Sequence, residues 1–279
     1  MISSRMLQRN RLGAASALMK RTSSPLPEAL LAGLFLATLL LGGCGGSARP
    51  TQAPPRQQEA LNHYRKGLLG LDQKRYAESL KEFEEAVRLD PQNAAFRYQL
   101  GQVHYSLGEW DAAEAALREV TKLDPYNADA RLLLGAVLSE KGQRQAALDE
   151  FRTVLANRNY STPEKAWVNV ALLYDQMGNP EEAIGSYHKA LDANPHYARA
   201  HYGLAQALDK LDRLKEAIAE YEIAAPDYED SSEFHYRAGL ACFRAGLKEQ
   251  AKQHLGMVVQ KSPGTTDAVK AEELLKLIR

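Results

Sequence analysis

Seven histidines (His63, His104, His188, His196, His201, His235 and His254) and two cysteines (Cys44 and Cys242) are the side chains best suited to metal binding or nucleophilic chemistry. Their spacing argues against both. A helix-borne metal site needs two ligands on one face, four residues apart, and no HExxH pair or other four-residue histidine pair occurs. Walker-type phosphate loops, GxSxG elbows and GxGxxG turns are also missing. Acidic pairs such as Glu84-Glu85 and Glu181-Glu182 fall in polar stretches, where solvated charge is the ordinary finding. No catalytic residues and no metal ligands are assigned. Function should therefore lie in a surface and in the elements that build it.

The 279 residues carry 35 basic and 35 acidic side chains. A balanced charge of this kind gives no footprint for nucleic acid, and no small-molecule pocket motif is present. Two cysteines exclude a disulfide framework. From residue 60 the chain repeats itself with a period of 34, and a two-residue insertion follows the third unit. Units start at Ala60, Ala94, Ala128, Glu164, Ala198 and Ser232. Position eight is small throughout: Gly67, Gly101, Gly135, Ala171, Ala205 and Gly239. Position twenty is also small: Ser79, Ala113, Ala147, Ala183, Ala217 and Ala251. Position twenty-four is large: Phe83, Leu117, Phe151, Tyr187, Tyr221 and Leu255. Pro91, Pro125, Pro195 and Pro263 stand near the unit ends.

Each half-unit has apolar residues at helical spacing, and Gly108, Gly142, Gly178 and Gly246 fall midway, where a first helix must turn. Small residues at eight and twenty let two antiparallel helices approach, and the large residue at twenty-four fills the space between them. This period and these columns resemble the tetratricopeptide repeat. The resemblance implies an all-α fold: a right-handed α-α superhelix of six repeats over 60–265. A last helix over 266–279 follows, with Ala268, Ala271, Leu274, Leu275 and Ile278 on one face to cap the stack. His63, His201 and His235 all occupy position four and read as packing choices; Cys242, at position eleven, reads as a small hydrophobe.

In that family the first helices line a concave groove through positions two, five, nine and twelve. Carried onto this sequence, the candidate partner-binding residues are Leu61, Tyr64, Leu68 and Leu71 in repeat one, with Tyr98, Tyr105, Leu132, Tyr202 and Tyr236 beyond it. Ala95, Gln102, Ala136, Val168, Leu172, Leu240 and Phe243 complete the face. The groove is apolar and aromatic, most strongly in repeat one, and suits a peptide or strand of a protein partner. Chaperone-binding members grip a C-terminal carboxylate with Lys and Asn at positions five and nine. Here those positions hold Tyr64/Leu68, Tyr98/Gln102 and Leu132/Ala136, so that clamp is excluded.

The N-terminal part reads as an export signal over 1–43. Lys20 and Arg21 precede an apolar run from Ala29 to Leu41. The run is shorter than the ~20 residues a spanning helix needs. It ends in Leu41-Gly42-Gly43-Cys44, which resembles the lipobox of bacterial lipoproteins and implies acylation of Cys44. A start at Met19 would give a signal of ordinary length. Removal of 1–43 takes away five basic residues and one acidic one, leaving 30 and 34 and a net charge of −4. Attachment to a membrane would then rest on acyl chains, at about 0.8 kcal/mol per buried methylene. Gly45 follows the cysteine in place of the Asp that retains enterobacterial lipoproteins in the inner membrane. This points to the periplasmic face of the outer membrane. Residues 44–59 read as the lipidated cysteine and a flexible tether, with a reach of roughly 20 Å as a coil and about 40 Å extended.

Six repeats behind a lipobox resemble the type IV pilus biogenesis and stability lipoproteins, the pilotins. The lengthened junction Asn159-Tyr160-Ser161-Thr162-Pro163 and the following Asn169 are similar to that family's pattern. The resemblance implies a non-enzymatic outer-membrane lipoprotein that holds a secretin subunit in its groove and promotes secretin assembly. It needs no cofactor beyond the lipid on Cys44. Two other readings share these features: a scaffold lipoprotein for polysaccharide export or barrel-protein assembly, and a regulator of cell-wall enzymes.

Overall fold

The computed structural model describes residues 55–278. The signal, Cys44 and the first ten residues after it lie outside the described residues. Those that are described form thirteen α-helices and one short 3-10 turn, and no strand occurs among them. In chain order the helices are α1 (Pro55–Asp72), α2 (Tyr76–Leu89), α3 (Ala94–Leu107), α4 (Trp110–Leu123), α5 (Ala128–Glu140) and α6 (Arg144–Ala156). Then come α7 (Pro163–Gln176), α8 (Pro180–Ala193), α9 (Ala198–Lys210), α10 (Leu214–Ala224), α11 (Ser232–Arg244), α12 (Lys248–Lys261) and α13 (Thr266–Leu277). Each odd–even pair up to α12 is one repeat, and α13 packs against the last.

Residue identity sets the boundaries. At four junctions the residue closing a unit caps the helix that follows, whereas Tyr197 before α9 makes no side-chain cap. Asn93 accepts from the amides of Ala95 and Phe96, Asn127 from Ala130, Ser231 from Phe234, and Thr265 from Ala268. At α7, Pro163 takes the first helical position instead, where its missing N–H costs nothing. Helices α2, α4, α8 and α12 each end two residues before the unit proline. The fifth unit has Glu229 there, and its second helix stops earlier, at Ala224. Pro226 follows within a 3-10 turn over Ala225–Asp227, because a residue without an N–H cannot continue the ladder.

The mid-unit turn shows the same economy. Gly108, Gly142, Gly178 and Gly246 have φ between 76° and 78°, the left-handed region. The equivalent positions in repeats one and five are Lys74 at φ 57° and Asp212 at φ 59°. A side chain costs about 1 kcal/mol in that region. Asp212 recovers part of the cost by accepting from Arg244 at 2.7 Å, whereas no ion pair of Lys74 is present among the described residues. Lys74→Gly is therefore expected to raise stability by about 0.5–1 kcal/mol. The urea midpoint would read it, and an unchanged or lower midpoint would contradict the strain.

The large residue at position twenty-four is fully or almost fully buried in all six repeats: Phe83, Leu117, Phe151, Tyr187, Tyr221 and Leu255. In repeats one, two, three and six it lies against the glycine at position eight of the same unit, and Tyr187 of repeat four lies against Gly203 of the next. A Cβ built on Gly101 would stand 2.8 Å from Leu117 Cγ, closer than packing allows. Tyr221 buries its hydroxyl with no partner. An unpaired buried hydroxyl costs about 1–3 kcal/mol. Since repeats one and three use phenylalanine at this position, Tyr221→Phe should be neutral to stabilising by about 1 kcal/mol on thermal unfolding. A loss of more than ~1 kcal/mol would show that the hydroxyl has a partner after all.

The start of the fold differs from the sequence reading. Residues 55–59, read as tether, are helical: α1 begins at Pro55, five residues ahead of the repeat. Nothing in Pro55-Arg56-Gln57-Gln58-Glu59 has apolar periodicity, and all five are exposed. They extend a helix already nucleated by the amphipathic part, with proline at its first position. The capping helix matches its expectation: Ala268, Ala271 and Ile278 are buried and Leu274 and Leu275 pack against the last core.

Candidate functional site

First helices touch the next first helices directly, α3 with α5, α5 with α7 and α7 with α9, while consecutive second helices stay further apart. The first helices are thus the inner layer of a curved stack, and their free face is the inside of the curve. Repeat one contributes Leu61, Tyr64, Leu68 and Leu71 to this face, all partly exposed. Leu61 and Tyr64 also pack against the core of the first two repeats. For Tyr64 the contacts are aromatic. Its ring centroid lies 4.8 Å from Phe96 and 5.8 Å from Phe83, so it wedges repeat one against repeat two. Leu68 and Leu71 carry apolar surface that no preceding helix covers among the described residues.

Three expected groove residues are corrected. Tyr105 is 7 % exposed and Leu132 is 8 % exposed; both belong to the central core. Trp110, at the start of α4, closes over Tyr105 with centroids 5.3 Å apart. Burial pushes the Tyr105 hydroxyl up to about 12, with Glu140 adding to it. Val168, also placed in the groove, is 1 % exposed. Tyr98 and Tyr202 keep partial exposure, yet both are largely packed. Burial, with Asp129 and Tyr160 nearby, raises the Tyr98 hydroxyl well above its usual range. Tyr202 sits 4.8 Å from Tyr228 and 5.3 Å from Phe234. Tyr236, Leu240 and Phe243 remain partly open on α11, where the Lys270 ammonium of α13 stands 6.0 Å from the Tyr236 ring. The accessible apolar face is therefore concentrated at the two ends of the stack.

Between those ends a polar ladder joins successive first helices. Ser139 donates to Gln176 at 2.6 Å, Lys210 to Asp175 at 2.9 Å, and Arg244 pairs with Asp209. These charges neutralise one another. The equivalent inner positions in repeats one and two are Leu71 and Tyr105, so the apolar character rises toward the N-terminal end.

Within the units a second pairing recurs, which the sequence reading did not identify. Position four reaches position twenty-three: His63 to Glu82 at 2.8 Å, Arg131 to Glu150 at 2.7 Å, His201 to Glu220 at 2.5 Å and His235 to His254 at 3.0 Å. The same side chain also donates back to the carbonyl six residues earlier. Arg97 holds Pro91, Arg131 holds Pro125, His201 holds Pro195 and His235 holds Glu229, at 2.8–2.9 Å. The histidines are structural braces between the two helices of a unit, and their constant 19-residue separation was the available signal. Among the described residues no group of three or more metal-ligating side chains occurs, and no helix is long and apolar enough to cross a membrane. Cys242 is buried, and burial pushes its thiol up to about 11, the setting of an inert core side chain.

The tetratricopeptide repeat family matches residues 98–162 and 169–232, and a second description of that repeat matches 70–124. An uncharacterised protein of Haemophilus influenzae is 31 % identical over 101 residues, which is 36 % of this chain and 56 % of that protein. The chain thus spans little more than half of that relative. Among solved structures, Pseudomonas aeruginosa PilF aligns with a TM-score of 0.65 and 18 % identity, over 79 % of this chain and 99 % of its own. PilW, a widely conserved type IV pilus biogenesis factor, aligns with a TM-score of 0.69 and 17 % identity, over 77 % and 99 %. Cut9, from a complex with Hcn1, aligns with a TM-score of 0.66 and 19 % identity, over 79 % of this chain and 43 % of its own. At such identities the likeness concerns the fold.

Proposed function

We propose that this tetratricopeptide-repeat protein is a non-enzymatic lipoprotein that holds a protein partner on its inner face and promotes secretin assembly for type IV pilus biogenesis. One observation carries the binding part: repeat one presents the partly exposed Leu61, Leu68 and Leu71 on an inner face that, among the described residues, no preceding helix covers. Burying the remaining exposed surface of three such side chains would supply about 2–4 kcal/mol before ordering costs. The pilus part is supported by fold likeness to PilF and PilW over 79 % and 77 % of this chain, with their own lengths covered almost completely. Cys44 would carry the lipid and place the groove at the periplasmic face of the outer membrane, with no other cofactor. The partner would be an outer-membrane secretin subunit.

The test is made on outer membranes of a deletion strain, run unboiled and probed for secretin. Loss of the heat-resistant multimer with monomer remaining supports the proposal. An unchanged multimer removes secretin as the partner and turns the reading toward a scaffold of another envelope machine.

A further inference from the structure

The brace of repeat six differs from the others. In repeats one and five a histidine faces a carboxylate; in repeat six His235 faces His254, Nδ1 to Nδ1 at 3.0 Å. The ring centroids are 5.3 Å apart, so both nitrogens lie nearly on the line between the rings. That is the geometry of a straight N–H···N bond, not of two lone pairs converging on an ion. The tautomers follow from the partners. His235 Nε2 faces the Glu229 carbonyl at 2.8 Å and must carry a proton to donate there. Its Nδ1 is then the acceptor in the neutral ring, and His254 Nδ1–H is the donor.

We propose that the His235–His254 pair is an acid-sensitive latch that holds α11 against α12 at neutral pH and lets the sixth repeat loosen on acidification. The contrast lies within the molecule. Protonating His63 or His201 places a cation against Glu82 or Glu220, which keeps the brace. Protonating the sixth pair adds charge to a site where His235 is 3 % exposed, and a second proton sets two N–H groups against each other and removes the bond. Besides burial, the charge of His235 is what lowers the pKa of the His254 ring. Asp230, in the segment before α11, senses His235 but is already paired with Lys261 of α12 at 2.7 Å. The Phe234 ring closes the remaining side.

Burial holds His254 at about 4, against 6.5 for a free ring. The open form therefore binds the proton more readily. The latch is at full strength above the free-ring value and is lost progressively as pH falls toward the folded one. Helix α11 carries Tyr236, Leu240 and Phe243, so the C-terminal end of the inner face opens with it.

Hydrogen exchange on the full chain tests this, with α3–α6 as the internal reference. Between pH 8 and pH 5, protection of α11 and α12 should fall about tenfold relative to α3–α6, a share of the full linkage because His254 is partly solvated. His254→Glu, which recreates the pair of repeats one and five, should abolish the relative fall. If that variant folds poorly, His235→Arg with His254→Glu recreates the pair of repeat three and serves the same purpose. A wild-type profile in which α11–α12 track α3–α6 would overturn the latch, as would an equal fall in the carboxylate variants.

Discussion

Phe151→Ala should destabilise the chain by about 3–5 kcal/mol, the largest stability effect of any substitution considered. Phe151 is 2 % exposed at the middle of the stack, and its ring occupies the space left by the absent side chain of Gly135. Truncation leaves a cavity that cannot collapse, because the facing glycine has nothing to move into it. A typical domain has about 5–15 kcal/mol in total, so the loss is a large share. Position in the array matters as much as size. Each repeat contacts only its neighbours, so a weakened third repeat uncouples repeats one and two from repeats four to six. The expected urea curve is shifted and broadened, with two steps resolved by probes at either end. The same truncation at Phe83 should loosen only the N-terminal end and leave a single main transition. A cost of less than ~1 kcal/mol at Phe151 would contradict the packing described.

The second large effect is expected in function. Leu68→Asp with Leu71→Asp should abolish the heat-resistant secretin multimer while the protein remains folded and abundant. Both side chains are partly exposed on the free inner face of α1, so their loss costs the core little. Two buried carboxylates would cost a bound partner several kcal/mol, enough to reduce affinity a hundredfold or more. Tyr64 is left out of the variant on purpose. Its ring packs on Phe83 and Phe96, and replacing it would confuse folding with binding. A multimer of normal yield from the double variant would place the partner elsewhere.

The parts of this molecule that could be read in the sequence are those where physics permits few residue types. A left-handed turn favours glycine, and the four mid-unit glycines have that conformation. Close helix approach demands a small residue opposite a large one, and positions eight, twenty and twenty-four are buried together in every unit. Much of the candidate site was less legible. Tyr105 and Leu132 occupy groove positions by register, but both are buried in the central core, Tyr105 beneath Trp110. The brace between positions four and twenty-three is filled by histidine or arginine on one side and glutamate or histidine on the other. A column of mixed residues hides such a pairing until the structure aligns the 19-residue separation. Pro55 to Glu59 escaped for the opposite reason: polar residues extend an existing helix without any apolar signal of their own.

The central claim, that the inner face of repeat one holds secretin, is tested most directly by a photo-crosslinking residue placed in the living cell. Position 68 on α1 is compared with position 84 on the outer helix α2, where Glu84 is exposed. The account predicts an adduct recognised by secretin antibody from position 68 and none from position 84. Secretin adducts from position 84 alone, or from neither position in cells whose secretin multimer depends on the protein, would contradict it.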